Sequence, residues 1–251
     1  MLPIGMGIHA MTLDDILASL FPQGHDVRNY DGVLLGSGSL KTGGRAVVIG
    51  IADRTAVGVD EAIRLSRHVL NAMERGGTGP ILVLVDSDSQ RMSKRDELLG
   101  LNEFLAHLAK CLIYADMQGR QTVGLLYGHS AAGAFLATAL ATRVLVALPG
   151  AEPEVMDLPS MSKVTKLSID VLKEKAKSTP VFAPGLDNLA RTGAVLSTWD
   201  EKTSLAEQLQ TLLGSDQDGG DRRDRLGKTR RGRPKAADIA ERVHDLALQS
   251  K

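Results

Sequence analysis

The chain has 251 residues, enough for one large domain or two small ones, and its 30 Lys plus Arg are balanced by 30 Asp plus Glu. That balance leaves no net field to recruit nucleic acid or a membrane surface. The single cysteine, Cys111, excludes an internal disulfide framework and suits a reducing cytoplasm.

Aromatic residues make up only 3% of the chain while 26 residues are glycine, so the core must rest on Val, Leu, Ile and Ala with close backbone packing. The first residues, "MLPIGMGIHAMTLDD", have no basic start and no long apolar run, so no secretory signal is expected. The longest apolar stretch, 131–142, is broken at Arg143 and is too short to span a bilayer. A soluble cytoplasmic protein is the expectation.

In chain order, "TLDDILASLF" opens a short helix with Thr12 as N-cap and Asp15 at the third helical position. "GVLLGSGSL" and "RAVVIGIA" read as strands separated by the turn signal Lys41-Thr42-Gly43-Gly44. "VDEAIRLSRHVLNAMERGG" has helical apolar spacing and ends at Gly76. "PILVLVD" is an uninterrupted apolar run, as in a strand covered on both faces. "SKRDELLGLNEFLAHLAKCLIYADMQG" reads as one long helix capped by Ser93 and ending near Gly119. "QTVGLLYG" is the next strand, "AAGAFLATALAT" the next helix and "RVLVALPG" the strand after it. Alternation of this kind with short connections argues an α/β fold with mainly parallel pairing. After Pro153 come helical patterns, a short strand "AVLSTW", the helix "TSLAEQLQTLLG" and a final amphipathic helix "KAADIAERVHDLALQ". The domain expectation is 1–213 as the main unit, 214–234 as a flexible charged linker and 235–251 as a C-terminal helix.

The stretch "LLYGHSAAGAF" (125–135) resembles a serine-hydrolase elbow at first sight. Such an elbow needs glycine two residues after the serine, and here Ala132 holds that place. Beyond His129, only His244 follows Ser130, far off in the C-terminal helix. Ser130 is therefore a poor nucleophile. As a strand, a turn over Gly128–Ala131 and a helix from about Ala132, the same residues aim backbone N–H groups at one point. Small side chains let a carbonyl oxygen approach, which makes an oxyanion hole without a nucleophile. Tight helix–strand packing explains the small residues equally well at this level.

"PILVLVDSDSQ", "SKRDELLGLNEFLAHLAKCLIYAD" and "TVGLLYGHSAAGA" together resemble the carboxyltransferase branch of the crotonase superfamily. In that branch an Asp-rich loop and a long helix precede a turn ending Gly-Gly-Ala. Ala132 stands at the first of those glycines and Gly133 at the second. "GHSAAGAF", "LPSMSKVTKLS" and "VFAPGLDNLARTGAVLSTWD" further resemble the gamma subunits of biotin-independent malonate decarboxylase.

The resemblance covers about residues 5–213 and implies a ClpP/crotonase-like spiral of strand–helix units with C-terminal helices. It implies partnership with a beta subunit that completes the active site, an alpha transferase subunit, and an acyl carrier protein. The carrier would bear a phosphoribosyl-dephospho-CoA prosthetic group, with no cofactor bound by this chain directly. Decarboxylation of a malonyl thioester leaves an enolate whose charge sits largely on the thioester oxygen. In this reading Ala132 and Gly133 supply main-chain donors to it, while His129 and Ser130 orient a carboxylate, water or CO2. Gly128 and Ala131 give the substrate room. Lys163 meets its carboxylate or phosphate, unless it simply belongs to a solvated helix face. A biotin-dependent acyl-CoA carboxyltransferase subunit and a non-catalytic scaffold for the beta subunit are the alternatives.

Asp86 and Asp88 read as a solvated or capping loop rather than a metal pair, and no metal is expected. Arg231-Gly232-Arg233-Pro234 matches the core of a minor-groove arm, but a single copy in a neutral chain reads more simply as an arm that docks a partner subunit or acidic carrier protein, and more simply still as solvated linker. The helix from Ser93 to Ala115, with Leu98, Leu101 and Leu105 as an apolar stripe, is the expected partner surface.

Overall fold

Helix α1 (Leu13–Leu20) begins with a reciprocal cap, as expected from its sequence. The Asp15 N–H donates to Thr12 Oγ1 at 3.2 Å, and the Thr12 N–H donates to the Asp15 carboxylate at 3.1 Å. The computed structural model describes residues 11–180, 183–215 and 220–249. Three antiparallel strands follow α1: β1 (Arg28–Tyr30), β2 (Val33–Ser39) and β3 (Arg45–Val57).

Strand–helix alternation then sets in. Helix α2 (Val59–Glu74) leads to β4 (Ile81–Gln90), and helices α3 (Lys94–Leu99) and α4 (Leu101–Met117) lead to β5 (Thr122–Leu126). The chain leaves the sheet through β6 (His129–Ala131) and α5 (Ala132–Ala137), returns as β7 (Val144–Ala147) and departs again as β8 (Glu152–Glu154). Helices α6 (Leu158–Thr165), α7 (Ile169–Ser178) and α8 (Leu186–Arg191) precede β9 (Ser197–Thr198). Then come α9 (Leu205–Gly214), α10 (Arg223–Thr229) and α11 (Ala236–Gln249).

The main sheet has the order β1-β2-β3-β4-β5-β7-β9, parallel from β3 onward. Strands β6 and β8 form a separate parallel pair. Along β4, Val83 and Val85 face one core with Leu65, Val69, Leu108 and Leu112 of α2 and α4. Leu82 and Leu84 face the opposite core, with Ile16 and Leu20 of α1 and Leu205 and Leu209 of α9. Both faces of the strand are dry, which accounts for its unbroken apolar run.

The structure departs from the sequence reading in several places. Gly100, at φ 84°, ends α3 in the left-handed conformation and splits the expected long helix. The expected interface stripe does not survive the break: Leu98 is 77% exposed on α3, while Leu101 and Leu105 on α4 are core residues at 1% and 7%. Strand β4 runs through Asp86 and Asp88 to Gln90, where a loop was expected.

The stretch 214–234 is no free linker where it is described. It contains α10, and Arg223 Nη1 donates to the Leu140 carbonyl at 2.9 Å. The Arg230 guanidinium donates to the carbonyls of Ala190, Val195 and Leu196, each at 2.7 Å. A Cβ on Gly232 would lie 2.1 Å from the Arg191 oxygen, so the Arg-Gly-Arg-Pro segment is packed against the body by a close backbone approach. Residues 216–219 lie outside the described residues.

Candidate functional site

Parallel strands β3, β4 and β5 present their C-terminal ends side by side, and three irregularities meet there. The first is a bulge in β3, where the register shifts beyond Ile51 and both Asp53 (φ 58°) and Arg54 (φ 50°) are left-handed. Left-handed backbone costs a non-glycine residue roughly 1–2 kcal/mol, so two in succession need external support. Asn29 Nδ2 gives one bond, to Asp53 Oδ2 at 2.8 Å, and the Arg54 N–H finds Asp86 Oδ2 at 3.3 Å.

The second is the end of β4. Asp86 Oδ1 accepts the His129 N–H at 2.9 Å, so one carboxylate joins the β3 bulge to the turn after β5. Gly128 makes that approach possible: a Cβ there would stand 2.3 Å from Asp86 Oδ1. Gln90 closes the same end, with Oε1 accepting the Gly133 N–H at 2.8 Å.

The third is the turn itself. Tyr127 donates its hydroxyl to the Ile51 carbonyl at 3.3 Å. Burial, then the charges of Asp86 and Asp53, push its phenol far above the usual tyrosine range, so it stays a donor. His129–Ala131 pairs with Glu152–Glu154, and Ala132 (φ 49°) makes the sharp bend into α5. Ala132 thus holds a left-handed conformation that glycine would adopt without the Cβ penalty.

The residues expected at the site divide clearly. Gly128, His129, Ser130, Ala131, Ala132 and Gly133 do form one strand–turn–helix unit. Lys163 does not join them: it is exposed on α6, which packs against α7. Ser130 is fully buried, and its Oγ lies 3.2 Å from Ser87 Oγ rather than beside a base. That environment supports a packing role and not a nucleophile. The His129 ring is largely buried, with Nε2 3.9 Å from Asp88 Oδ1 and Nδ1 without a hydrogen-bond partner. Main-chain donors expected to be free are occupied, the His129 N–H by Asp86 and the Gly133 N–H by Gln90. Sequence reading missed the parts played by Asp86, Asp88 and Gln90. The alternation of polar residues in "DSDSQ" was the available signal that β4 continues.

Among the described residues, no three His, Cys, Asp or Glu side chains converge as metal ligands, and no helix is long and apolar enough to cross a membrane. A cleft of about 860 Å³ lies elsewhere, lined by Met156, Met161, Val164, Leu189 and Arg223 among others.

Comparison with known proteins bears on this geometry. The family model for the malonate decarboxylase gamma subunit matches residues 52–247. The malonyl-S-ACP:biotin-protein carboxyltransferase MADD of Malonomonas rubra is 33% identical over 148 residues, 55% of this chain and 51% of that protein. The match thus spans about half the length of that relative. A Pseudomonas malonate decarboxylase hetero-tetramer in complex with coenzyme A contains a chain that superposes with a TM-score of 0.74 at 25% identity, covering 94% of this chain and 98% of that one. The Pseudomonas MdcD–MdcE hetero-dimer gives 0.71 at 22% identity with the same coverage, a likeness of fold. The α/β architecture is therefore crotonase-like. With the family match running from the β3 bulge through the turn into α11, the chain belongs to the malonate decarboxylase gamma subunit family.

Proposed function

We propose that this chain acts with a beta subunit to convert malonyl-S-acyl carrier protein to acetyl-S-acyl carrier protein in the cytoplasm. Loss of CO2 breaks the bond between the carboxylate carbon and the methylene carbon. The electron pair moves into the thioester as an enolate, and a proton then reaches the methylene carbon. The turn at 128–133 contributes main-chain donors to the enolate oxygen, which gains negative charge as CO2 departs. An acyl carrier protein with a phosphoribosyl-dephospho-CoA group presents the malonyl thioester, and an alpha subunit loads the carrier.

The observation that carries this reading is the Gly133 N–H. It already holds a carbonyl-type oxygen, Gln90 Oε1, at 2.8 Å in a partly buried setting. A thioester oxygen is the same kind of acceptor. The family match and the coenzyme A complex of the Pseudomonas hetero-tetramer support the substrate class.

The test is decarboxylation of malonyl-S-acyl carrier protein by the assembled complex carrying Gly133→Val. A valine there would press on Gln90 and on Leu105 Cδ1, which lies 3.4 Å from a built Cβ. Turnover should fall at least about 100-fold, the scale of a lost oxyanion donor. An assembled variant with an unchanged thermal transition and parental turnover would remove this turn from the chemistry, as a pure scaffold role requires. A second reading, a biotin-dependent carboxyltransferase subunit, draws on the likeness to the Malonomonas rubra protein. Avidin-sensitive activity would favour it.

A further inference from the structure

The side-chain amide of Gln90 occupies the Gly133 donor. Its Oε1 sits 2.8 Å from the Gly133 nitrogen, while among the described residues its Nε2 makes the weak thioether contact to Met92 Sδ at 3.8 Å. The backbone beneath it is fastened independently. The Arg91 N–H donates to the Val57 carbonyl at 2.9 Å, and the Arg91 guanidinium pairs with Glu61 at 2.6 Å. The side chain can therefore turn away from Gly133 without moving the loop. A Cβ on Gly133 would lie 3.0 Å from Oε1, a tight contact that glycine avoids.

We propose that Gln90 is an internal surrogate for the thioester carbonyl, held on the Gly133 donor between turnovers and displaced by the substrate; this rests on the oxyanion reading of the turn given above. The exchange trades one neutral carbonyl acceptor for another, so the bound thioester gains little from Gly133. The enolate gains more, because a charged oxygen makes a hydrogen bond roughly twice as strong as a neutral one. Gln90 thus keeps a partly buried donor satisfied between turnovers and lowers the occupancy of substrate and product alike. After protonation the product oxygen is neutral again, and the amide can reclaim the donor as the acetyl thioester leaves. No covalent step is involved.

The test uses the assembled complex and malonyl-S-acyl carrier protein, with KM and kcat measured for two variants. Gln90→Leu removes the competing acceptor at similar size and should lower KM by roughly threefold to tenfold, the range of one neutral hydrogen bond. Gln90→Glu keeps the reach but supplies a charged acceptor, and should raise KM by a similar or larger factor. The fall in KM with Gln90→Leu is the discriminating result, because losing a merely structural contact would not tighten substrate binding. If both variants leave KM at the parental value, or raise it together, the surrogate role is overturned. The outcome is separable from failure of the oxyanion reading, which is judged by Gly133→Val. Loss of activity there with unmoved KM in both Gln90 variants sinks this inference alone.

Discussion

Asp86 Oδ1 accepts the main-chain N–H of His129 at 2.9 Å, and its second oxygen accepts that of Arg54 at 3.3 Å. One side chain on β4 therefore sets the distance between the strained bulge of β3 and the turn after β5. Its role is positioning, because each of its oxygens accepts a main-chain N–H. Asp86→Ala leaves both amides without that acceptor and should cost about 2–3 kcal/mol, the range of a hydrogen bond to a charged group. Turnover should fall about 10–100-fold through misplacement of the turn. Gly128→Ala should act in the same direction, since its Cβ would collide with Asp86 Oδ1 at 2.3 Å. Thermal melts and single-turnover decarboxylation of the assembled variants check both. Parental rates with Asp86→Ala would show that the turn holds itself.

Ala132 adopts φ 49°, a conformation that strains every residue with a Cβ. Ala132→Gly removes that strain and gives back part of the gain through the freer unfolded chain. The net expectation is a stabilisation of about 0.5–1 kcal/mol, read as a higher denaturation midpoint at unchanged slope. Activity should persist, because the backbone donors stay in place. A lower midpoint would mean that the alanine methyl contributes more by packing than it costs in strain.

Ser130 and Ser87 are both fully buried and share one hydrogen bond at 3.2 Å. Ser130→Ala strands the Ser87 hydroxyl and should cost about 1–2 kcal/mol, while turnover falls no more than roughly tenfold. Joint replacement, Ser87→Ala with Ser130→Ala, removes the stranded group and should be less destabilising than the sum of the single changes. Denaturant titration of the three variants measures this coupling. Stoichiometric labelling of Ser130 by a fluorophosphonate would restore the nucleophile that its buried setting argues against.

Arg230 donates to the carbonyls of Ala190, Val195 and Leu196 and so ties the chain after α10 to the approach to β9. Arg230→Ala should destabilise the protein by about 2–3 kcal/mol, the range for hydrogen bonds made by a charged donor. Arg230→Lys should recover only part, because an ammonium cannot present the planar fork that meets several carbonyls at once. Limited proteolysis should also become faster at residues 220–234. A variant that melts and cleaves like the parent would return this stretch to the solvated linker expected from its composition.

Local chemistry alone determined much of this protein. The Thr12 cap, the two-sided apolar run of β4, and the strand, turn and small-residue helix around Gly128–Gly133 are short-range patterns that hold in any surroundings. What the sequence could not decide is where polar side chains end up when distant strands come together. Asp86 and Asp88 follow an apolar run and look solvated, yet parallel pairing of β3, β4 and β5 carries Asp86 to two backbone amides on neighbouring strands. Gln90 and Gly133 are separated by 43 residues along the chain, so no helical or strand periodicity relates them. The break at Gly100 likewise turned a single apolar stripe into an exposed Leu98 and a buried Leu101 and Leu105. Arg223 and Arg230 carry charge and therefore read as linker, but they dock because folding brings their guanidinium groups to the carbonyl of Leu140, beyond α5, and to those of Ala190, Val195 and Leu196 around the end of α8. Hydrogen-bond demand arising between distant segments becomes visible only when the segments meet.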